Sequence, residues 1–352
     1  MPPKPLLLDQ LPQDWNLGAA PAYRRQQLTE WIFQKHAENF SHMTSLPASL
    51  RQHLAANYEL NPLAHVRTQG SSDTTRKFLF QLADGDYLES VLIPANPALY
   101  GGRADRFTLC VSSQVGCAYG CKFCASGLNG FRRNLTTAEI LAQIMVVGRL
   151  GGEKITNLVF MGMGEPLANY QNLMTAITVI NSDWGLNLGA RHITVSTSGL
   201  APRIRDLADQ PRQLRLAISL HGADDDTRDR LMPVNRKYPL AQLLDACAYY
   251  QSRKNQMLTF EFILIRDVNA SAAQAALLAA HAKRLNAKIN LIPCNPVAGL
   301  PWQRPADVDI KKFAGILKTA GVPATVRLEK GRDIDAACGQ LRLRELEAKA
   351  ES

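Results

Sequence analysis

The spacing of hydrophobic positions changes twice along the chain. Over residues 1–60 it is helical. Leu28, Trp31 and Ile32 fall on one face of PAYRRQQLTEWIFQKHAENF, and SLPASLRQHLAANY predicts a second helix. Residues 75–82 and 87–94 then predict two strands, joined as a hairpin through ADGD. From about residue 105 short apolar runs alternate with amphipathic stretches. FTLCVSS, ITNLVFMG, RHITVSTSG, LRLAISLHG, LTFEFILI and KINLIPCNP predict strands. Helices are expected to start near Thr136, Tyr170, Pro202, Pro239, Ser271 and Pro305, the first with a capping box of Thr136 and Glu139. Strand–helix units in this order predict an α/β fold on a parallel barrel, complete or partial. Such barrels gather ligand-binding groups at the C-terminal ends of their strands. CVSSQVGC, FMGMGEP, STSG, SLHG and CNP all stand there.

Composition adds bounds. The 352 residues are 46% hydrophobic, enough for one large barrel and a small accessory unit. No apolar run reaches the ~18–20 residues of a membrane span, and the N-terminus does not read as a signal peptide. A cytoplasmic protein without a membrane partner is expected. The net charge is +9, yet residues 1–100 hold 8 Lys and Arg against 9 Asp and Glu. The basic surplus lies beyond residue 100, where it suits a polyanion such as RNA or forms an inert basic surface. An odd count of 7 cysteines argues against a disulfide scaffold.

Three of those cysteines, Cys117, Cys121 and Cys124, fall within CAYGCKFC, in a glycine-rich loop after a strand. Thiolates at this density are soft ligands for an iron–sulfur cluster or zinc. A structural zinc site wants four ligands, whereas three on a four-iron cluster leave one iron open. Gly164 and Glu165 in GMGEP suit close approach to a ligand and acceptance of hydrogen bonds from an ammonium group. Ser196, the run Ser219, Leu220 and His221, and Asn295 offer hydroxyl, backbone, imidazole and amide groups at other strand ends. Each of these also reads as a strand cap, and His221 as a satisfied rim histidine. Cys247 continues the apolar stripe of Leu240, Leu243 and Leu244, so it belongs to a core. Cys110 and Cys338, taken alone, read as small buried hydrophobes.

The spacing CxxxCxxC resembles the signature of the radical S-adenosylmethionine (SAM) superfamily. That resemblance implies a partial (β/α)6 barrel and a [4Fe–4S] cluster on Cys117, Cys121 and Cys124. The open iron would chelate the amino and carboxylate groups of SAM, and one electron would cleave SAM to a 5′-deoxyadenosyl radical. CVSSQVGCAYGCKFCASG, GFRRNLT, FMGMGEPLANY, STSG, SLH and DIDAACGQL together resemble the radical SAM RNA methyltransferases of the RlmN/Cfr family. The resemblance implies an accessory, RNA-binding-like helical domain with a hairpin over 1–102, a core barrel over 103–333 and a C-terminal segment over 334–352.

It also implies roles. Gly164, Glu165, Ser196, Ser219, Leu220, His221 and Asn295 would contact SAM. A first SAM would methylate Cys338, and a second would supply the radical that activates that methyl group for addition to adenine. Glu89 would accept the proton, and Cys110 would release the RNA by pairing transiently with Cys338 in a disulfide. The implied substrates are 23S ribosomal RNA at the peptidyl transferase centre and the adenosine following the anticodon in some tRNAs. A flavodoxin- or ferredoxin-type protein would supply electrons. Carbon 2 is the expected position, favoured over the carbon 8 of Cfr-type relatives by the long N-terminal extension. A non-catalytic iron–sulfur or zinc RNA-binding protein is the alternative of another class. Arg103, Arg106, Arg132 and Arg133 flank the cluster loop, as phosphate contacts or as solvated surface. Ser126 and Glu329 depart from the usual threonine and serine without removing a ligand, and no role is carried over to Cys294.

Overall fold

The apolar runs become strands of one ten-stranded sheet. The computed structural model describes residues 4–71, 74–95, 106–128, 130–295 and 299–327. The strands are β1 (Leu63–Gly70), β2 (Arg76–Leu82), β3 (Tyr87–Pro94), β4 (Phe107–Cys110), β5 (Gln114–Gly116), β6 (Phe131–Asn134), β7 (Asn157–Phe160), β8 (Ile193–Thr197), β9 (Arg215–Ser219), β10 (Thr259–Leu264), β11 (Lys288–Pro293) and β12 (Ala324–Val326). The large sheet has the order β1-β2-β3-β4-β7-β8-β9-β10-β11-β12. Pairing is antiparallel from β1 to β4 and parallel from β4 to β12. β5 and β6 form a separate two-stranded ribbon.

The helices are α1 (Tyr23–Phe33), α2 (Ala48–Asn57), α3 (Ala125–Leu128), α4 (Thr137–Gly151), α5 (Tyr170–Asn181), α6 (Ala201–Asp209), α7 (Asp225–Leu231), α8 (Leu240–Lys254), α9 (Ala272–Arg284) and α10 (Asp307–Thr319). The predicted barrel strands and helix starts are all present. β1, β12, the β5–β6 ribbon and α7 were not expected. β1 shows why: of its eight positions only Leu63 is buried, so no alternation marks it. Backbone pairing with β2 holds it in place. The expected hairpin is therefore the inner part of a three-stranded antiparallel extension.

The strand period sorts β2 and β3 into two faces. Phe78, Phe80, Leu88 and Leu92 join the main core, while Leu79 and Tyr87 form a small cluster on the opposite face. The main core runs without a break from Leu7 and Leu8, through Leu28 and Ile32 of α1, to Phe313 and Val322. The N-terminal helices thus share their core with the barrel. Asp9 seals the junction by accepting from the Ala138 N–H at 2.8 Å, in the open first turn of α4. That helix opens with the predicted capping box, Thr136 and Glu139 each bonding the other's backbone N–H. Among the described residues no helix is long and apolar enough to cross a membrane.

Candidate active site

The cysteine loop is held at its base by the β5–β6 ribbon. Gln114 pairs with Asn134 and Gly116 with Phe131, so the chain leaves and re-enters the loop side by side. The Cys117 N–H donates to the Gly130 carbonyl at 3.0 Å. Gly116 has φ 74°, and a Cβ there would overlap that carbonyl oxygen, so only glycine fits. The loop is anchored from outside as well. The Lys122 N–H donates to the Leu231 carbonyl at 2.9 Å, and the Trp302 indole donates to the Lys122 carbonyl at 2.6 Å.

The three thiols are partly buried, and all line one cavity of about 370 Å³ at the C-terminal ends of the parallel strands. That volume lies within the range of small-molecule sites. Burial pushes the Cys117 thiol up to about 11 and raises Cys121 further, with mutual repulsion between the sulfurs adding to both. Among the described residues no three His, Cys, Asp or Glu groups converge on a point where a single metal ion could bind. Thiolates of a four-iron cluster each bind a different iron and so stand further apart. Three thiols, with no fourth among the described residues, therefore fit a [4Fe–4S] cluster with one open iron better than a mononuclear zinc centre.

Gly164 and Glu165 stand beside this loop. Gly164 has φ 97°, and a Cβ on it would come within 2.5 Å of the Gln114 Cβ. Gln114 ties the two segments together: its Oε1 accepts from the Glu165 N–H at 2.8 Å while its Nε2 donates to Asn134. The buried Glu165 carboxylate accepts from the Leu167 N–H at 3.1 Å and from the Ser198 N–H and hydroxyl at 2.7 and 2.8 Å. Burial raises its pKa and the Ser198 bonds oppose the rise. The GMGEP segment and the STSG turn are thereby locked to one another.

Ser196, Ser219, His221 and Asn295 line the same cavity. Leu220 differs: its side chain is buried in the core, and it is not among the residues that line the cavity. His221 takes φ 56°, and its Nδ1 accepts from the Ile263 N–H at 2.9 Å. The proton therefore resides on Nε2. The Phe123 ring packs edge-on against the imidazole at 4.7 Å. Burial, then the charge of Arg228, lowers the imidazole pKa from 6.5 to about 3. Between these values the unfolded chain binds a proton that the native state refuses, so stability falls as pH drops from 6.5 towards 3 and is unaffected above 6.5. His221→Asn is expected to flatten the fall in urea midpoint across the upper part of that window. An unchanged slope would show that this histidine is not the titrating group.

Sequence reasoning missed Arg228, on α7. Its side chain is fully buried, and burial lowers its pKa to about 10. The guanidinium donates to the carbonyls of Ser198 at 2.8 Å, Leu220 at 2.6 Å and Ser219 at 3.2 Å, and to Asn235 Oδ1 at 2.9 Å. One side chain thus joins the STSG and SLHG turns, and its charge also favours the Cys121 thiolate. In DDDTRDR it reads as one charge of a solvated run, so no local signal marks it.

Glu89 and Cys110 do not line the cavity, but they share the sheet face that leads to it. Lys77, Val91, Cys110 and Val159 are register partners across β2, β3, β4 and β7. Met161, two residues beyond Val159, is in the cavity wall. Glu89, two residues from Val91 on the same face, is buried and paired with the wholly buried Lys77 at 2.9 Å. Cys338 and the rest of 334–352 lie outside the described residues, as does Arg103. Arg133 is not a free cation: it bonds both Glu139 oxygens at 2.8 Å and pairs with Asp84, latching β6 to α4. Arg132 is largely exposed and pairs with Asp86 at 3.0 Å. Arg106 is exposed.

The sequence profile of the Radical SAM superfamily matches residues 111–278, and that of the ribosomal RNA large subunit methyltransferase N-terminal domain matches residues 16–60. A parallel sheet with this three-thiol loop at its C-terminal edge is that of a radical SAM enzyme. A relative from Akkermansia muciniphila, described as a probable dual-specificity RNA methyltransferase RlmN, is 52% identical over 93% of this chain and 91% of its own length. One of the same description from Desulfitobacterium hafniense (strain Y51) is 48% identical over 93% of this chain and 92% of its own. The crystal structure of a radical SAM methyltransferase from Sphaerobacter thermophilus superposes with a TM-score of 0.89 at 43% identity, covering 96% of this chain and 99% of that one. The chain belongs to the RlmN family of dual-specificity RNA methyltransferases.

Proposed function

We propose that this protein methylates carbon 2 of adenine in RNA: in 23S ribosomal RNA at the peptidyl transferase centre, and in some tRNAs at the adenosine following the anticodon. The observation that carries the reading is the cavity that joins three thiols, with no fourth among the described residues, to the Gly164–Glu165 segment. Cys117, Cys121 and Cys124 hold the cluster. Gly164, Glu165, Ser196, Ser219, His221, Asn295 and the Leu220 backbone hold SAM. Cluster and SAM, when bound, supply a carbon-centred radical able to break an unactivated C–H bond. Such chemistry suits carbon 2, which is electron-poor and cannot attack a sulfonium methyl group directly.

Cys338 would be the residue that receives a methyl group from one SAM, and the radical chemistry supplied by a second would prepare that methyl carbon for bonding to adenine. Glu89 takes the carbon-2 proton as the adduct gives up the electron spent on SAM cleavage. The Cys110 thiolate then attacks the Cys338 sulfur and breaks its bond to the methylene carbon, which takes up a proton to become the product methyl group, leaving a disulfide for external reductant. The placement of Glu89 and Cys110 on one inner sheet face supports these roles. Residues 1–102 form the RNA-binding accessory unit, 103–333 the catalytic core and 334–352 the segment that delivers Cys338. The protein works in the cytoplasm, with electrons from a flavodoxin- or ferredoxin-type donor.

The test is anaerobic reconstitution, followed by incubation with SAM, reductant and a ribosomal RNA fragment. Mass spectrometry of the nucleosides is expected to show 2-methyladenosine. 8-Methyladenosine would correct the position, and absence of both together with 5′-deoxyadenosine would refute the reading. Cys338→Ala is expected to abolish methyl transfer. Cys110→Ala is expected to leave RNA covalently attached through Cys338, and a freely released product would remove Cys110 from the scheme.

A further inference from the structure

Among the described residues two carboxylates line the cavity, and they differ in one respect. Glu165 has both oxygens engaged by Leu167 and Ser198. Glu261, on β10, is 5% exposed, and only its Oε1 is engaged, by the Asn290 amide at 3.2 Å. Its Oε2 is buried with no hydrogen-bond partner. Leaving a buried acceptor unpaired costs about 1–3 kcal/mol, and more for a charged one. The strand does not need this side chain, because the Glu261 backbone already accepts from the Leu220 and His221 N–H groups. Burial raises the carboxyl pKa, and the charge of Arg327, the Asn290 bond and the charge of Lys288 oppose the rise. Glu261 is also the centre of a polar row, in register with Ser219 on β9 and Asn290 on β11.

We propose that Glu261 binds the cis-diol of the SAM ribose, with the free Oε2 accepting from the sugar hydroxyls. This rests on the SAM-dependent reading above. Glu165 lies close enough to Cys117 and Cys121 to influence both thiols, which places the amino-acid end of SAM beside the cysteine loop. The nucleoside end then extends along the wall towards β9, β10 and β11. A carboxylate matches a vicinal diol because it accepts from both hydroxyls. A nucleotide within an RNA strand has its 3′ oxygen in a phosphodiester, so it offers no such pair.

The test is direct binding, by anaerobic equilibrium dialysis of the reconstituted protein against SAM and against 2′,3′-dideoxy-SAM. Wild type is expected to bind the dideoxy analogue about 10- to 100-fold more weakly than SAM, the range for hydrogen bonds to a charged group. Glu261→Gln is expected to bind SAM more weakly by a similar factor and to lose most of that discrimination. Without SAM, Glu261→Gln is expected to melt at the same temperature as wild type or higher, because an unpaired buried charge has been removed. Equal binding of the two ligands by wild type would overturn the assignment, a result that needs no variant to fold. Unchanged SAM affinity in Glu261→Gln with a raised KM for RNA would overturn it too, assigning the carboxylate to RNA, and a lowered melting temperature would assign it to structure. Failure of wild type to bind SAM at all would refute the broader reading instead.

Discussion

Cys121→Ala is expected to lose the cluster and, with it, all SAM cleavage. The reconstituted variant should show iron content and visible absorbance near background, and no 5′-deoxyadenosine above the level without protein. The physical reason is the ligand count. Among the described residues the cavity brings together three thiols and no others. No other described cysteine lines the cavity to replace a missing sulfur, and a cluster held by two thiolates exposes two irons. The β5–β6 ribbon and the anchors at Lys122 should keep the loop in place, so the loss is one of ligation and not of fold. Cys247→Ala is the control. That cysteine is wholly buried on α8 within the apolar core. Its removal should lower stability by about 1 kcal/mol, as for other small core truncations, and leave iron content intact. Full iron loading in Cys121→Ala would contradict the assignment of the loop.

The barrel was legible in the sequence because most positions of its strands are buried or half-buried. LTFEFILI and KINLIPCNP appear as near-continuous apolar runs, as parallel strands must. The cysteine loop and strand-end segments were legible because glycine, cysteine and acid at fixed spacing are uncommon outside sites. What remained hidden depends on contacts distant in sequence. QVG and FRRN are too short and too polar to show as strands, yet they set the geometry of the loop. Lys77 sits in a strand where a period-2 reading places lysine outside, and its burial follows only from Glu89 across the β2–β3 pair. Arg133, read as a phosphate contact or as solvated surface, is engaged by Asp84 and Glu139. Glu261 hides within an apolar strand, and only the unpaired state of its oxygen draws attention to it.

Arg228→Met is expected to destabilise the protein by roughly 3–6 kcal/mol, a large share of the 5–15 kcal/mol typical of folded domains. The guanidinium satisfies three buried backbone carbonyls, those of Ser198, Ser219 and Leu220, besides the Asn235 amide oxygen. Methionine fills much of the volume but donates to none of them, and each buried acceptor left unpaired costs about 1–3 kcal/mol. Replacement of a buried charge by an apolar group recovers part of its desolvation cost, which keeps the estimate below a simple sum over all four acceptors. Arg228→Lys should be nearly as damaging, since an ammonium cannot span two turns with a planar fork. The consequence for function follows from the same bonds. Ser198 fixes Glu165, while Ser219 and Leu220 lead into His221, so one guanidinium sets the spacing of two walls of the cavity. SAM affinity should therefore fall in any Arg228 variant that remains folded, and the urea midpoint should fall with it. A midpoint and affinity both at wild-type values in Arg228→Met would mean that the two turns hold their positions without this side chain.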